Sequence, residues 1–67
     1  NRDSGVVAYD ISSESIAVRF RDGSQYEYTY ASAGRHNIEE MKQLAQSGRG
    51  LNSFINKHVK KRYSRKS

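Results

Sequence analysis

The sequence predicts an α+β domain in which a three-stranded antiparallel meander is followed by two helices packed on one face of the sheet, in the order βββαα. Two observations predict this fold class. Apolar and polar residues alternate between residues 5 and 30, which is the period of half-buried strands. From Asn37 onwards the apolar residues recur at intervals of three and four, as in amphipathic helices. A chain of 67 residues has room for one such domain, so we expect a single unit over residues 1–67, with residues 63–67 as a frayed basic tail.

The first two strands are predicted from alternating side chains on either side of a polar turn. Strand one covers about residues 5 to 11, with Val7, Tyr9 and Ile11 on one face. Residues 12 to 14 form the turn, and strand two covers about residues 15 to 21. Its apolar side chains are Ile16, Val18 and Phe20.

The connection to the third strand is predicted by matching faces. A two-residue loop would place the polar Gln25 opposite Phe20, on the apolar face. A three-residue loop over residues 21–23 restores the match, with Gly23 in the left-handed conformation as a bulge. The expected cross-strand pairs are Val18 with Tyr26, Ile16 with Tyr28 and Arg19 with Gln25.

Two helices are expected after a loop at residues 31 to 36. Asn37 is predicted to cap the first helix, with Glu40 completing a capping box, and either Gly48 or Gly50 is predicted to end it in the left-handed conformation. Its apolar stripe is Ile38, Met41, Leu44 and Ala45. The second helix starts at about Leu51, and its predicted buried face is Leu51, Phe54, Ile55, His58 and Val59.

Charge is strongly segregated along the chain. Residues 1–40 hold four basic and seven acidic side chains, a balance of about −3, whereas residues 41–67 hold eight basic side chains and no acid, a balance of about +8. A block of one sign is typical of either a solvated tail or a surface that faces an anion.

Several classes of protein are disfavoured by composition. The chain has no cysteine, which excludes a disulfide framework and a thiolate metal site, and no apolar run long enough to span a bilayer. His36 and His58 have no second ligand at a metal-binding spacing, and no nucleophile motif is present. We therefore expect a soluble, cytoplasmic, non-enzymatic domain with no metal, no cofactor and no membrane partner. The start at Asn1 rather than Met is compatible with a fragment of a longer chain.

The tyrosines of the third strand have two interpretations. Tyrosines on a sheet can stack nucleic-acid bases, but Tyr26 and Tyr28 share the face of Ile16 and Val18. We favour a core role for both, because a small domain needs the apolar area of their rings. For Tyr30, near the strand end, the pattern does not decide between a core role and base stacking. Asn52 and loop backbone are the polar candidates for bonding a buried tyrosine hydroxyl, and Asn52 is expected to fix loop backbone rather than contact a ligand.

The basic C-terminal part is the better functional candidate. Lysines on one face of the second helix, continued by the tail, would contact phosphates with strong salt dependence and little sequence preference. The candidate nucleic-acid-binding residues are Arg49, Lys57, Lys60, Lys61, Arg62, Arg65 and Lys66, with Arg19 and Arg21 on the open sheet face as an extension. The alternative is a solvated helix whose charges favour solubility, which would leave protein–protein interaction through the open face or an edge of the sheet as the function.

The segment Ser47–Gly50 also has two compatible interpretations. Free backbone N–H groups before a helix, beside Arg49, can cradle a phosphate. The same glycines are needed for a tight turn between helices, and this second interpretation is favoured.

The pattern of these residues resembles one known family, the KTSC domain, a small module named for its place at the C-terminus of some lysyl-tRNA synthetases and also found as a stand-alone bacterial protein. The matching segments are Tyr9-Asp10, Ile16-x-Val18-x-Phe20-x-x-Gly23-x-x-Tyr26-x-Tyr28, Ser47-Gly48-Arg49-Gly50-Leu51-Asn52 and Ile55. Residues 31–36 depart from the family, which often has a Val-Pro entry into the first helix. The resemblance implies a structural role for Phe20, Gly23, Tyr26, Tyr28, Gly48 and Asn52, and by association it implies RNA binding.

Overall fold

The structure, a computed structural model, describes residues 5–67. Strands β1 (Val6–Ser12), β2 (Ser15–Phe20), β3 (Gln25–Thr29) and β4 (Arg65–Lys66) form one antiparallel sheet in that order. The helices are α1 (Tyr30–Ala33), α2 (Arg35–Ser47) and α3 (Leu51–Phe54), and α3 runs directly into a π-helical segment (Ile55–Val59). The α+β class, with three consecutive strands followed by helices, is confirmed.

The register of β2 and β3 is the predicted one. Val18 lies opposite Tyr26, Ile16 opposite Tyr28 and Arg19 opposite Gln25. Gly23 has a φ of 94°, and its N–H donates to the carbonyl of Phe20 at 2.9 Å. The three-residue loop is confirmed, because only this register keeps both apolar sets on one face.

The predicted apolar face of β1 is wrong at its first residue. Val6 lies opposite Phe20 and Ala8 opposite Arg19, so Val7 is an extra residue in the ladder. This bulge turns Val7 outward, where it is 57% exposed, and Val6 packs against the core instead.

The predicted loop at residues 31 to 36 is largely helical. Thr29 caps α1, since its side chain accepts a hydrogen bond from the N–H of Ser32 while the Ser32 hydroxyl accepts from the N–H of Thr29. α2 then begins at Arg35 after Gly34, so the predicted cap at Asn37 and its capping box with Glu40 are wrong. Asn37 lies in the first turn, and its side-chain amide donates to the carbonyl of Ala33 at 2.8 Å.

The helix end at Gly48 is confirmed. Gly48 is left-handed, with a φ of 85°, and its N–H reaches the carbonyls of Leu44 and Ala45. Gly50 is left-handed as well, which produces the tight turn before α3.

The last helix buries a narrower face than predicted. Leu51, Ile55 and Val59 are buried, whereas His58 is exposed and lies against the ring of Phe54. His58 lies in the π-helical segment, whose winding differs from the α-helical period on which the prediction was based.

The core lies between one face of the sheet and the helices. Its largest fully buried side chains come from both layers. They are Tyr28, Ile16, Ile38, Met41, Val18 and Val59. Together they form a single cluster, as expected of a domain of this size.

The C-terminal tail is a strand rather than a frayed end. Tyr26 lies opposite Lys66 and Glu27 opposite Arg65. The N–H of Ser67 donates to the carbonyl of Gln25 at 2.7 Å, and the N–H of Gln25 donates back to Ser67 at 3.1 Å. The expectation of fraying is wrong because β3 offers an unpaired edge to which even a polar segment can bond.

Candidate functional site

The cations of residues 49–67 form no ion pair within the part of the chain that the structure describes. We call six exposed cations the basic C-terminal surface: Lys57, Lys60, Lys61, Arg62, Arg65 and Lys66. The one ion pair among residues 5–67 lies elsewhere and joins Lys42 Nζ to Glu39 Oε2 at 3.1 Å. The basic surface therefore keeps its full charge toward solvent, which favours contact with an anion.

The strand β4 divides this surface between the two faces of the sheet. Residues directly opposite each other in antiparallel strands project to the same face. Lys66 therefore shares the helix side with Tyr26, whereas Arg65 shares the open face with Glu27. The predicted set of six cations is thus split, with Arg65 separated from the lysines of the helix.

Arg49 is also apart from the basic C-terminal surface. It is exposed in the turn between α2 and α3 and lines a cavity of about 350 Å³ beside β1. The nine helical residues from Leu51 to Val59 lie between it and Lys60, so the two cations stand at opposite ends of the last helix. The two left-handed glycines that flank Arg49 serve the turn, as the favoured interpretation of this segment predicts.

Arg19 and Arg21 lie in different places. Arg19 is exposed on the open face, where its Nη2 donates to Oε1 of Gln25 at 3.4 Å. Arg21 lies in the β2–β3 turn, its backbone N–H donates to the carbonyl of Gly5 at 2.7 Å, and it lines a cavity with residues of the last helix. The prediction that both arginines lie on the open face is therefore wrong for Arg21.

This second cavity, which we call the aromatic cavity, lies between the β2–β3 turn and the last helix. Its volume is about 350 Å³. The strands contribute the rings of Phe20, Tyr26 and Tyr28, and the last helix contributes Asn52, Asn56 and Lys60. The spacing of four between the helical residues places them on one stripe that faces the turn.

The wall of the aromatic cavity is a cluster of rings. The Tyr26 ring meets that of Phe20 edge to face at 5.5 Å and that of Tyr63 at 4.9 Å, and it stacks beside Tyr28 at 6.4 Å. Tyr28 is 1% exposed, which confirms its core role, whereas Tyr26 and Phe20 are partly exposed. Burial, followed by the neighbouring Tyr26 and Tyr63, raises the pKa of Tyr28 to about 12.

Two amide side chains, those of Asn52 and Asn56, line the cavity. Neither Asn52 nor Asn56 donates or accepts a side-chain hydrogen bond with residues 5–67. The expectation that Asn52 fixes loop backbone, or bonds a tyrosine hydroxyl, stays a prediction. Asn52 is closely approached by Gly5, at which a Cβ would lie 3.0 Å from its Oδ1.

One carboxylate lines the aromatic cavity. Asp22 Oδ1 accepts hydrogen bonds from the hydroxyl and the N–H of Ser24, at 2.7 and 2.9 Å. These bonds hold the pKa of Asp22 below its ordinary value, and the positive charge of Lys66 has a smaller effect in the same direction. The cavity thus combines two cations, Arg21 and Lys60, with one ionised acid.

Tyr30 is half-buried against the edge of the core and does not line the aromatic cavity. Its hydroxyl donates to Oε2 of Glu39 at 2.6 Å, and Lys42 donates to the same oxygen. The hydrogen bond to Glu39 raises the pKa of Tyr30, and the same bond, together with that from Lys42, lowers the pKa of Glu39. This network connects the start of α1 to α2.

The residues described contain no cluster of three side chains suited to hold a metal ion. His36 and His58 are both exposed, on α2 and on the π-helical segment. Within residues 5–67, no helix combines the length and apolar character needed to cross a bilayer.

Comparisons of the chain with models of known protein families, with curated proteins and with solved structures gave no match. The resemblance to the KTSC domain therefore stays a prediction. Of the residues that carry it, Phe20, Tyr26, Tyr28 and Asn52 meet at the aromatic cavity. Sequence reasoning missed this cavity, although Asn52, Asn56 and Lys60 at intervals of four were a signal that could have indicated it.

Proposed function

We propose that this chain is a small non-enzymatic module that binds nucleic acid, RNA in preference to DNA, through phosphate contacts from the basic C-terminal surface. One observation carries the proposal: the cations of this surface are exposed and have no carboxylate partner among residues 5–67. If these charges served solubility alone, acidic residues interspersed among the basic ones would serve it equally well. A run of unpaired cations is instead suited to a polyanion.

The physical basis is the release of counterions from the phosphate backbone. Each phosphate neutralised on a single strand contributes about −0.7 to the slope of log affinity against log salt. Within the basic C-terminal surface, Lys66 shares the helix side of the sheet with Tyr26 and Lys60 lines the cavity there, whereas Arg65 faces the other way. Binding should therefore weaken steeply as salt rises, with little dependence on sequence.

The preference for RNA is supported by the aromatic residues beside these cations. Tyr63 is 38% exposed, and Tyr26 beside it is partly exposed. Unpaired bases, which are common in RNA, can pack on such rings, whereas bases within a duplex cannot reach them. The resemblance to the KTSC domain points in the same direction by association.

The test is a titration with single-stranded RNA, folded RNA and duplex DNA at low and high salt. Charge reversal by Lys57→Glu with Lys60→Glu is expected to abolish binding at low salt. Arg19→Glu with Arg35→Glu is the matched control, because it changes the net charge equally at two exposed arginines outside this surface. An equal loss in both variants would overturn the proposed surface, and no binding by the unmodified chain would overturn the function.

Interaction with another protein is the second candidate. Ala17 lies near the centre of the open face, and its neighbours on that face carry balanced charge. These neighbours are Asp10, Arg19, Glu27 and Arg65. β1 is an edge strand, on which Val7 and Tyr9 are 57% and 44% exposed. The affinity for a protein partner bound there would depend little on salt concentration, whereas the affinity for nucleic acid would fall steeply. This difference distinguishes the two proposed functions.

A further inference from the structure

The aromatic cavity has the size and chemistry of a small-ligand site. Its volume of about 350 Å³ is at the lower end of the usual range for such sites, roughly 300 to 1,000 Å³. It joins an aromatic wall to amide groups and to cations, whereas a simple packing defect would be lined by apolar atoms alone.

The three kinds of lining group would recognise three parts of one ligand. The partly exposed rings of Phe20 and Tyr26 offer a surface for a planar heterocycle. The amides of Asn52 and Asn56 each supply donors and an acceptor for the polar edge of that heterocycle. Arg21 on the turn and Lys60 on the helix supply charge-assisted hydrogen bonds for a phosphate.

The remaining charged group is compatible with the same ligand. Asp22 is ionised and would repel a phosphate beside it, but a carboxylate accepts hydrogen bonds from hydroxyl groups such as those of a ribose. With Arg21 and Lys60 the cavity still carries one net positive charge, which suits a ligand with an anionic end and a hydroxyl-bearing middle.

From this arrangement we infer that the aromatic cavity holds one unpaired nucleotide of a bound RNA strand. The base packs against Phe20 and Tyr26, and the phosphate lies between Arg21 and Lys60. The inference rests on the proposed function, because the basic C-terminal surface would hold the rest of the strand. Lys60 belongs to both the cavity and that surface, so the strand can pass from one to the other without a break.

The experiment compares a nucleotide with its parts by following backbone amide shifts in NMR titrations. Adenosine 5′-monophosphate is expected to shift the amides of the β2–β3 turn and those of Asn52 and Asn56. Adenosine alone and inorganic phosphate alone are expected to bind more weakly, because each satisfies only part of the site. A short single-stranded RNA is then titrated in the same way.

Matched variants separate the cavity from general charge. Lys60→Gln removes a cation that lines the cavity, and Lys57→Gln removes one from the same helix outside it. Lys60→Gln is expected to weaken nucleotide binding by about tenfold, the effect of one charge-assisted hydrogen bond, while Lys57→Gln stays within about twofold. Asn56 is exposed, so Asn56→Ala should leave the fold intact. This variant is expected to weaken binding of the nucleotide but not binding of inorganic phosphate.

The other possible outcomes contradict either this inference alone or the proposed function as well. If the nucleotide binds no better than inorganic phosphate, or if the two lysine variants lose affinity equally, the cavity is not a nucleotide site. Retained RNA binding in that case leaves the proposed function standing and removes only this inference. If neither the nucleotide nor the RNA binds at low salt, both the inference and the proposed function are wrong.

Discussion

The ammonium group of Lys66 lies over the ring of Tyr26, with 5.4 Å between Nζ and the ring centroid. The Tyr63 ring meets the same tyrosine edge to face at 4.9 Å. The last residues are therefore bound to the aromatic cluster as well as paired with β3, and such a cation–π contact adds roughly 0.5 to 1 kcal/mol at an exposed site. The basic end of the chain is thus part of the folded domain and presents its charges from a defined position.

Deletion of residues 64–67 should show that this end is a strand. The N–H of Gln25 donates to the carbonyl of Ser67, so its hydrogen exchange should become faster in the shortened chain. The N–H of Tyr30, which donates to the carbonyl of Glu14 at the other end of the β2–β3 pair, serves as the internal control. Equal exchange of Gln25 in both chains would contradict the pairing of β4.

The register of the β2–β3 hairpin could be predicted from the sequence because a strand has a period of two. A shift of one residue would exchange the two faces, and Gln25 would then lie among Val18 and Phe20. The apolar pattern therefore admits a single turn length, and the glycine at position 23 fits the left-handed residue that this turn needs.

Other features of the fold could not be predicted because local pattern did not decide them. Val6 and Val7 are the same residue type, so alternation alone cannot tell which of them packs inward. The cap of α1 uses Ser32 where a capping box usually has Glu or Gln, which hides the helix start. β4 forms only because β3 has a free edge, and this is a tertiary effect.

The candidate site was partly predictable for the same reasons. The exposed lysines of the last helix follow from helical period and composition. The split of Lys66 and Arg65 between two faces depends on β4, and the position of Arg21 depends on how the turn packs against the helix. The aromatic cavity needs both of these elements, so the sequence indicates its residues without showing that they meet.

Substitution of Gly23 by Ala should destabilise the domain through the backbone alone. A Cβ at this position would meet no atom within 4 Å, but the φ of 94° is unfavourable for any residue that carries one. We expect a loss of about 1 kcal/mol in the free energy of unfolding, measured by urea denaturation. Gly23→Asn is the control and should lose less, since asparagine tolerates positive φ better than alanine; an equal or greater loss would point to a side-chain effect.

Glu39→Gln should reduce stability in a way that depends on pH. The carboxylate accepts from Tyr30 and from Lys42, and these bonds lower its pKa below 4.5. A lowered pKa in the folded state stabilises the fold above the ordinary pKa of the carboxyl, and this contribution is lost as pH falls through the lowered value. The melting temperature of Glu39→Gln should therefore be below that of the unmodified chain at about pH 7, with a smaller difference at about pH 3. A difference that stays constant with pH would show that the charge of Glu39 is not involved.

The ionisation of Tyr28 should set an alkaline limit on the stability of the domain. Its pKa is raised from 10.0 to about 12, chiefly by burial, so the folded state keeps the phenol proton after the unfolded state has lost it. The stabilising contribution is fully present below pH 10 and is lost as pH rises through about 12.

Tyr28→Phe removes this ionisation, so the variant should lose less stability than the unmodified chain over that interval, as measured by urea denaturation at a series of pH values. Identical alkaline profiles would show that Tyr28 titrates no differently in the folded chain than in the unfolded one.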